Sequence, residues 1–153
     1  MSDMITRSII VKAEVDKVYH VWSNFEYFPR FMKYIRSIQM VGERKSHWVM
    51  KGPLGKGVEW DAYTTRMDKN QRVAWSSKDG EKNDVTTSGQ AVFSPLPNGE
   101  TEVTVMMQYI PKAGLPGEVV AKLFSHPDER MEEDLRNFKY YIEGMPERMT
   151  TTE

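Results

Sequence analysis

From Trp22 to Met32 the chain runs Trp-Ser-Asn-Phe-Glu-Tyr-Phe-Pro-Arg-Phe-Met, which places five aromatic side chains and one proline within eleven residues. Each ring withdraws a large area from water when it docks, so this segment must lie against something concave rather than run over the surface as an ordinary connection. Ahead of it, Val15, Val18, Tyr19, Val21, Trp22 and Phe25 recur at helical spacing. The spacing predicts an amphipathic helix running into the aromatic stretch, with Pro29 breaking or kinking it. The expected result is a helical lid laid over a sheet.

The sheet is written in the rest of the chain. Ile5 to Lys12 is short and rich in β-branched residues, as a first strand requires, and Tyr34 to Val41 and Ser46 to Lys51 read as two more. Val58, Trp60, Ala62 and Thr64 alternate with Glu59, Asp61, Tyr63 and Thr65, the period of a half-buried strand. The same parity recurs in Val73, Trp75 and Ser77, in Gly89, Ala91 and Phe93, and in Val103, Val105, Met107 and Tyr109. Turn residues separate these runs: Gly42-Glu43-Arg44, Gly52 to Gly57, Asp68-Lys69-Asn70, a polar stretch from Lys78 to Asp84, and Pro95 to Gly99. The pattern predicts an antiparallel meander with one apolar face.

A short apolar piece, Val119 to Phe124, precedes a helix start at Ser125-His126-Pro127. Met131, Leu135, Phe138 and Ile142 then mark the buried stripe of a long final helix, with Glu132 placed to meet Arg136 and Lys139 placed to meet Glu143. Gly144 and Pro146 should end it, leaving residues 147–153 as a frayed tail after a single domain spanning 1–146. One strand, a helical lid, a run of antiparallel strands and a terminal helix make an α+β architecture, in which a curved sheet wraps one helix and leaves an apolar cavity between them.

Composition narrows the function classes. Lys plus Arg (21) and Asp plus Glu (22) nearly cancel, so no overall field favours nucleic acid or an acidic membrane. The chain has no cysteine, which excludes disulfides, thiolate metal sites and cysteine nucleophiles. The first residues lack the pattern of a secretory signal, and no run approaches the ~18 apolar residues of a membrane span, so a cytoplasmic protein without membrane insertion is expected. His20, His47 and His126 are far apart and lack metal-ligand spacing, so neither a metal nor a cofactor is expected. No Gly-x-Ser-x-Gly or phosphate-loop pattern appears. Nothing in the sequence fixes the oligomeric state.

Several separated phrases resemble one family. Trp22, Phe25, Phe28, Pro29 and Phe31, then Ser46-His47-Trp48, Val58 to Ala62, Ala74 to Ser77, and Asp134-Leu135-Arg136-Asn137-Phe138-Lys139 stand in the order and spacing of the polyketide cyclase/dehydrase branch of the START-like superfamily. The resemblance spans nearly the whole chain. It implies the helix-grip (START/Bet v 1-like) fold and a hydrophobic small molecule held between sheet and C-terminal helix, a lipid or quinone in some members and a polyketide that is cyclised in others.

On this basis Phe28 and Phe31 are expected to cover a mouth, Trp60, Trp75 and Phe93 to form a floor, and Leu123, Phe124 and Leu135 to close the helical side. Ser77 and Tyr109, with Thr64 and Thr87, supply the candidate polar groups, and no motif marks a catalytic residue. Taken singly, each aromatic residue reads as ordinary core, and Arg30 as a solvated side chain. The inward methionines Met32, Met50, Met107 and Met131 suit an adaptable wall or simple gap filling. Three functions fit: binding or transport of an apolar ligand, a polyketide aromatase/cyclase, and a protein-interaction module that docks through the aromatic lid.

Overall fold

The structure, a computed structural model, describes residues 4–55, 57–78 and 83–145. Pro146, the 147–153 tail and the middle of the Lys78–Asp84 stretch lie outside the described residues. Seven strands are present: β1 (Ile5–Val11), β2 (Ile35–Met40), β3 (Lys45–Lys51), β4 (Gly57–Asp68), β5 (Arg72–Ser76), β6 (Val85–Leu96) and β7 (Glu100–Pro111). They form one antiparallel sheet in the order β1-β7-β6-β5-β4-β3-β2. Local turns make every neighbour pair except one. The exception joins β1 to β7, from Ile5 opposite Met107 to Val11 opposite Thr101.

Helix α1 (Val15–Trp22) follows β1, and helices α2 (Gly117–Phe124) and α3 (Pro127–Glu143) follow β7. Helix α3 begins where the Ser-His-Pro signal places it, with His126 at the N-cap and Pro127 in the first turn. Its stripe of Met131, Leu135, Phe138 and Ile142 is buried on the sheet. Ladder slips between Ile35 and Ser37 and between Thr64 and Arg66 are bulges that bend their strands, and the curved sheet wraps α3. This is the expected α+β helix-grip architecture.

Pro29 does not kink α1. The helix stops at Trp22, and Pro29 sits in a separate 3-10 turn, Phe25–Arg30. The stop comes from polar side chains that recapture a terminal carbonyl: Asn24 Nδ2 donates to His20 O at 2.7 Å and Ser23 Oγ donates to it at 3.3 Å. Nor does the aromatic segment rest on the surface as a lid. Phe25, Phe28 and Phe31 are buried in the interior. Phe25 lies 5.6 Å from both Trp48 and Trp75, and Phe28 lies 5.0 Å from Trp22 and 5.7 Å from Trp48, centroid to centroid. Rings from the segment and rings from the sheet satisfy one another, so this end of the grip is solid.

One glycine makes the ring packing possible. Gly89 pairs with Trp75 across β5 and β6, and a Cβ on it would fall 2.7 Å from Trp75 Cζ2. Gly89→Ala is therefore expected to cost about 1–3 kcal/mol through overpacking, read as a lower denaturant midpoint.

Ion pairs fix α3 on the edge strand. Glu132 does not meet Arg136; it is turned to Arg7 of β1, whose Nε lies 3.0 Å from Glu132 while its Nη2 lies 2.9 Å from Asp128. The Lys139–Glu143 pair forms at 2.6 Å. On the outer face, His47 sits between two carboxylates, Nδ1 2.8 Å from Asp61 and Nε2 2.7 Å from Glu59.

Hydrogen bonding to Asp61 and then to Glu59, against the opposing effect of burial, raises the His47 pKa above its ordinary 6.5. A raised folded-state value means the stabilisation is complete below pH 6.5 and is lost as pH rises through that higher value. His47→Ala should therefore lower the melting temperature at pH 6 and have little effect at pH 9, within the ~1 kcal/mol expected of a partly exposed pair.

Candidate functional site

The solid aromatic end determines where space remains. Beyond Phe31 and Trp22 no ring plugs the gap between the first half of α3 and β7, and a cavity of about 330 Å³ opens there. Its sheet wall is Val105, Met107, Gln108 and Tyr109 of β7 with Ile5 of β1 beside them. Leu123 and Phe124 of α2 form one side, Trp22, Phe31 and Met32 the inner end, and Pro127, Asp128, Arg130, Met131, Asp134 and Leu135 the α3 face.

Helix α2 is held in place through Arg130. The guanidinium Nη1 donates to Leu123 O in the last turn of α2, where unpaired carbonyls attract a cation. Nη2 contacts Met50 Sδ at 3.3 Å, and the group lies 4.8 Å from the Tyr34 ring centroid and 5.9 Å from that of Tyr109. The sharp corner at Ser125-His126 then sends α3 back along the sheet.

Two half-buried ionisable residues line this space. Burial pushes the Tyr109 hydroxyl up to about 12, so it stays a neutral donor throughout the physiological range. Burial likewise lifts the Asp134 carboxyl from 3.8 to about 7, although the Arg130 charge pulls the other way. Asp134 Oδ1 is sealed from solvent and has no hydrogen-bond partner among the described residues, and the same holds for Trp22 Nε1. An acid near neutrality in an apolar cavity can bind a polar ligand group or relay a proton.

Of the residues expected from sequence, Phe31, Tyr109, Leu123, Phe124 and Leu135 line the cavity. Phe28, Trp60, Trp75, Phe93 and Ser77 are not among its lining residues. Phe28 is at the centre of the aromatic plug, and Trp60 and Trp75 flank Trp48 in a stack at 5.7 and 6.4 Å. Phe93 meets the edge of Tyr19 at 6.0 Å. Ser77 Oγ accepts from Thr87 N at 3.0 Å, Thr87 Oγ1 donates to Gln108 O at 2.9 Å, and Thr64 is buried away from the cavity. Strand parity assigns a side chain to a face and leaves open where along the helix it lands.

Arg30 is exposed, 5.8 Å over the Tyr27 ring. Met32, Met107 and Met131 line the cavity, whereas Met50 only touches Arg130. Among the lining residues that sequence reasoning missed are Trp22, Arg130 and Asp134. The two charged ones border the apolar stripe of α3, one position before Met131 and Leu135, where charge normally marks the solvent boundary. The available signal for Asp134 was its place at the head of the Asp-Leu-Arg-Asn-Phe-Lys phrase.

Among the described residues no three metal-ligating side chains converge, and no helix is long and apolar enough to cross a membrane.

Comparison with known proteins agrees with this architecture. Residues 11–136 match the family described as polyketide cyclase/dehydrase and lipid transport. An uncharacterized 17.2 kDa protein of Streptomyces lincolnensis is 30% identical over 139 residues, covering 91% of this chain and 89% of that protein. A START superfamily protein of Mycobacterium smegmatis superposes with a TM-score of 0.68 at 16% identity, over 91% of this chain and 98% of the other. The Zhui aromatase/cyclase of Streptomyces sp. R1128 does so with a TM-score of 0.64 at 16% identity, over 97% and 95%. At these identities the two structures testify to the fold. With the match to residues 11–136 spanning most of the sequence, and its grip, sheet order and cavity in place, the chain belongs to the polyketide cyclase/dehydrase and lipid transport family.

Proposed function

We propose that the protein binds a hydrophobic small molecule in the cavity between β7, α2 and α3. The supporting observation is a mostly apolar space of about 330 Å³ that stays open although the rest of the interior is packed with rings. Lipid, quinone and polyketide skeletons all fit the chemistry of its walls. Mass spectrometry of extracts from the purified protein and titration with N-phenyl-1-naphthylamine test the reading. Saturable probe binding is expected, and Met131→Trp, which grows a wall residue into the space, should weaken it at least about tenfold while the melting transition remains cooperative. Absence of copurified ligand together with unsaturable probe fluorescence would overturn it.

A second reading, an aromatase/cyclase, is favoured by one observation, the Asp134 carboxyl near neutrality in the cavity that Tyr109 also lines. It requires Asp134→Asn or Tyr109→Phe to abolish product formation from a poly-β-ketone while probe affinity survives. Unchanged turnover in both variants would eliminate it. The docking-module reading needs an exposed aromatic patch, whereas Phe25, Phe28 and Phe31 are buried within the monomer.

A further inference from the structure

Three cations gather around one aromatic ring beside the cavity. Tyr34, half-buried just before β2, has Arg130 Cζ at 4.8 Å, Lys33 Nζ at 5.2 Å and Lys122 Nζ at 5.8 Å from its ring centroid. Arg130 comes from the start of α3, Lys122 from the last turn of α2, and Lys33 from the segment ahead of β2. A ring attracts a cation, but three positive charges brought this close repel one another.

Carboxylates do not balance the group. Glu133 pairs with Lys33 at 3.3 Å, and both side chains are well exposed, so the pair is screened by water and salt. Among the described residues neither Lys122 nor Arg130 has a carboxylate within ion-pair distance. The Asp134 carboxyl, one turn along α3 from Arg130, is the other acid near these charges, and with its pKa at about 7 it is mostly protonated at pH 6.

Arg130 joins the cations to the cavity. It is the one cation among the described lining residues, it retains accessible surface, and its guanidinium lies 5.9 Å from the ring of Tyr109 in the cavity wall. Nη1 donates to Leu123 O and Nη2 contacts Met50 Sδ, which leaves the Nε–H and a second N–H on each terminal nitrogen uncommitted among the described residues.

We infer that Arg130, Lys122 and Lys33 form an anion subsite around Tyr34 at the edge of the cavity, and that the ligand is an amphipathic anion. Its apolar body fills the cavity, and its phosphate, sulfonate or carboxylate group lies against Arg130 and Lys122. This deepens the ligand-binding reading above and rests on it. The apolar walls hold any hydrophobic skeleton of suitable size, whereas the cations select by charge.

The test compares two probes of one skeleton on the intact protein at pH 6 and low salt. N-phenyl-1-naphthylamine is neutral, and 1-anilinonaphthalene-8-sulfonate is the same molecule carrying a sulfonate. The sulfonate is expected to bind about tenfold tighter, an advantage that high salt removes. Lys122→Gln should weaken the sulfonate about threefold and leave the neutral probe unchanged. Lys69→Gln removes the same charge beyond the far end of β4 from Tyr34 and should change neither. Met131→Trp should weaken both, and decyl phosphate should displace the sulfonate at a concentration at least about tenfold below that of inorganic phosphate.

Equal affinity for the two probes, or equal effects of Lys122→Gln and Lys69→Gln, overturns the inference and leaves the cavity reading standing. So does sulfonate binding that ignores Met131→Trp, or displacement by inorganic phosphate that matches decyl phosphate, since the anion would then bind apart from an apolar body. If neither probe saturates, both readings fall. Lys122 and Lys69 are exposed, so their variants spare the core, and the wild-type probe pair decides the matter without them.

Discussion

Asp134→Asn is expected to make the protein more stable at pH 8 and to leave it unchanged at pH 4. The carboxyl is held in an apolar cavity with one oxygen unpaired, and its pKa stands at about 7 against 3.8 in the unfolded chain. A raised folded-state value for an acid means that the folded protein retains a proton the unfolded chain has released. Stability therefore falls as pH rises from about 4 to about 7 and stays low above that.

At ~1.4 kcal/mol per pH unit the full cost would approach 4 kcal/mol, but part of the residue reaches the surface and solvent relaxes some of it. A gain of about 2 kcal/mol is the expected result for asparagine, or roughly 4–8 °C in melting temperature for a chain of this size. Thermal melts of both proteins at pH 4, 6 and 8 check the sign and the window. A variant that melts lower than wild type at pH 8 would show that the carboxylate is satisfied in place.

Phe28→Ala is expected to have the largest effect on folding of any single ring truncation outside the cavity. Phe28 is fully buried and touches the rings of Trp22, Phe25, Phe31, Trp48 and Trp75, so no neighbour can collapse into the hole without disturbing another. About 3–5 kcal/mol should be lost. Phe124→Ala makes the informative contrast, because that ring is half-buried at the cavity side and meets Tyr109 at 6.1 Å. It should cost about 1 kcal/mol or less in stability and still weaken probe binding. Urea unfolding of the two variants beside a probe titration separates plug from pocket. Equal losses would mean that no such division exists.

That division is also where the sequence stopped being legible. Strand parity placed Trp48, Trp60, Trp75, Phe93 and Tyr109 on the inner face, and the helical period placed Met131, Leu135, Phe138 and Ile142 against them, which suffices for the architecture. Which inner residues border open space depends on how the rings between Trp22 and Phe31 distribute themselves along the helix. They chose Trp48 and Trp75 as partners, so the expected floor became core and the opening moved to the β7 and α2 side. Arg130 and Asp134 were hidden for a different reason. A charged residue beside an apolar stripe is ordinarily solvated, and only the tertiary arrangement of α2 over the start of α3 shields these two in part.

Ile5 and Met107 lie side by side on the first and last strands, and both border the cavity. Most of the remaining border comes from β7, α2 and α3, the final third of the polypeptide. The compartment therefore has no walls until β7, α2 and α3 have been synthesised and have folded back beside β1. Joining β1 to β7 also means closing a loop that spans five other strands, a slow step by its topology. A molecule bound as proposed could be enclosed only after the first and last strands have met.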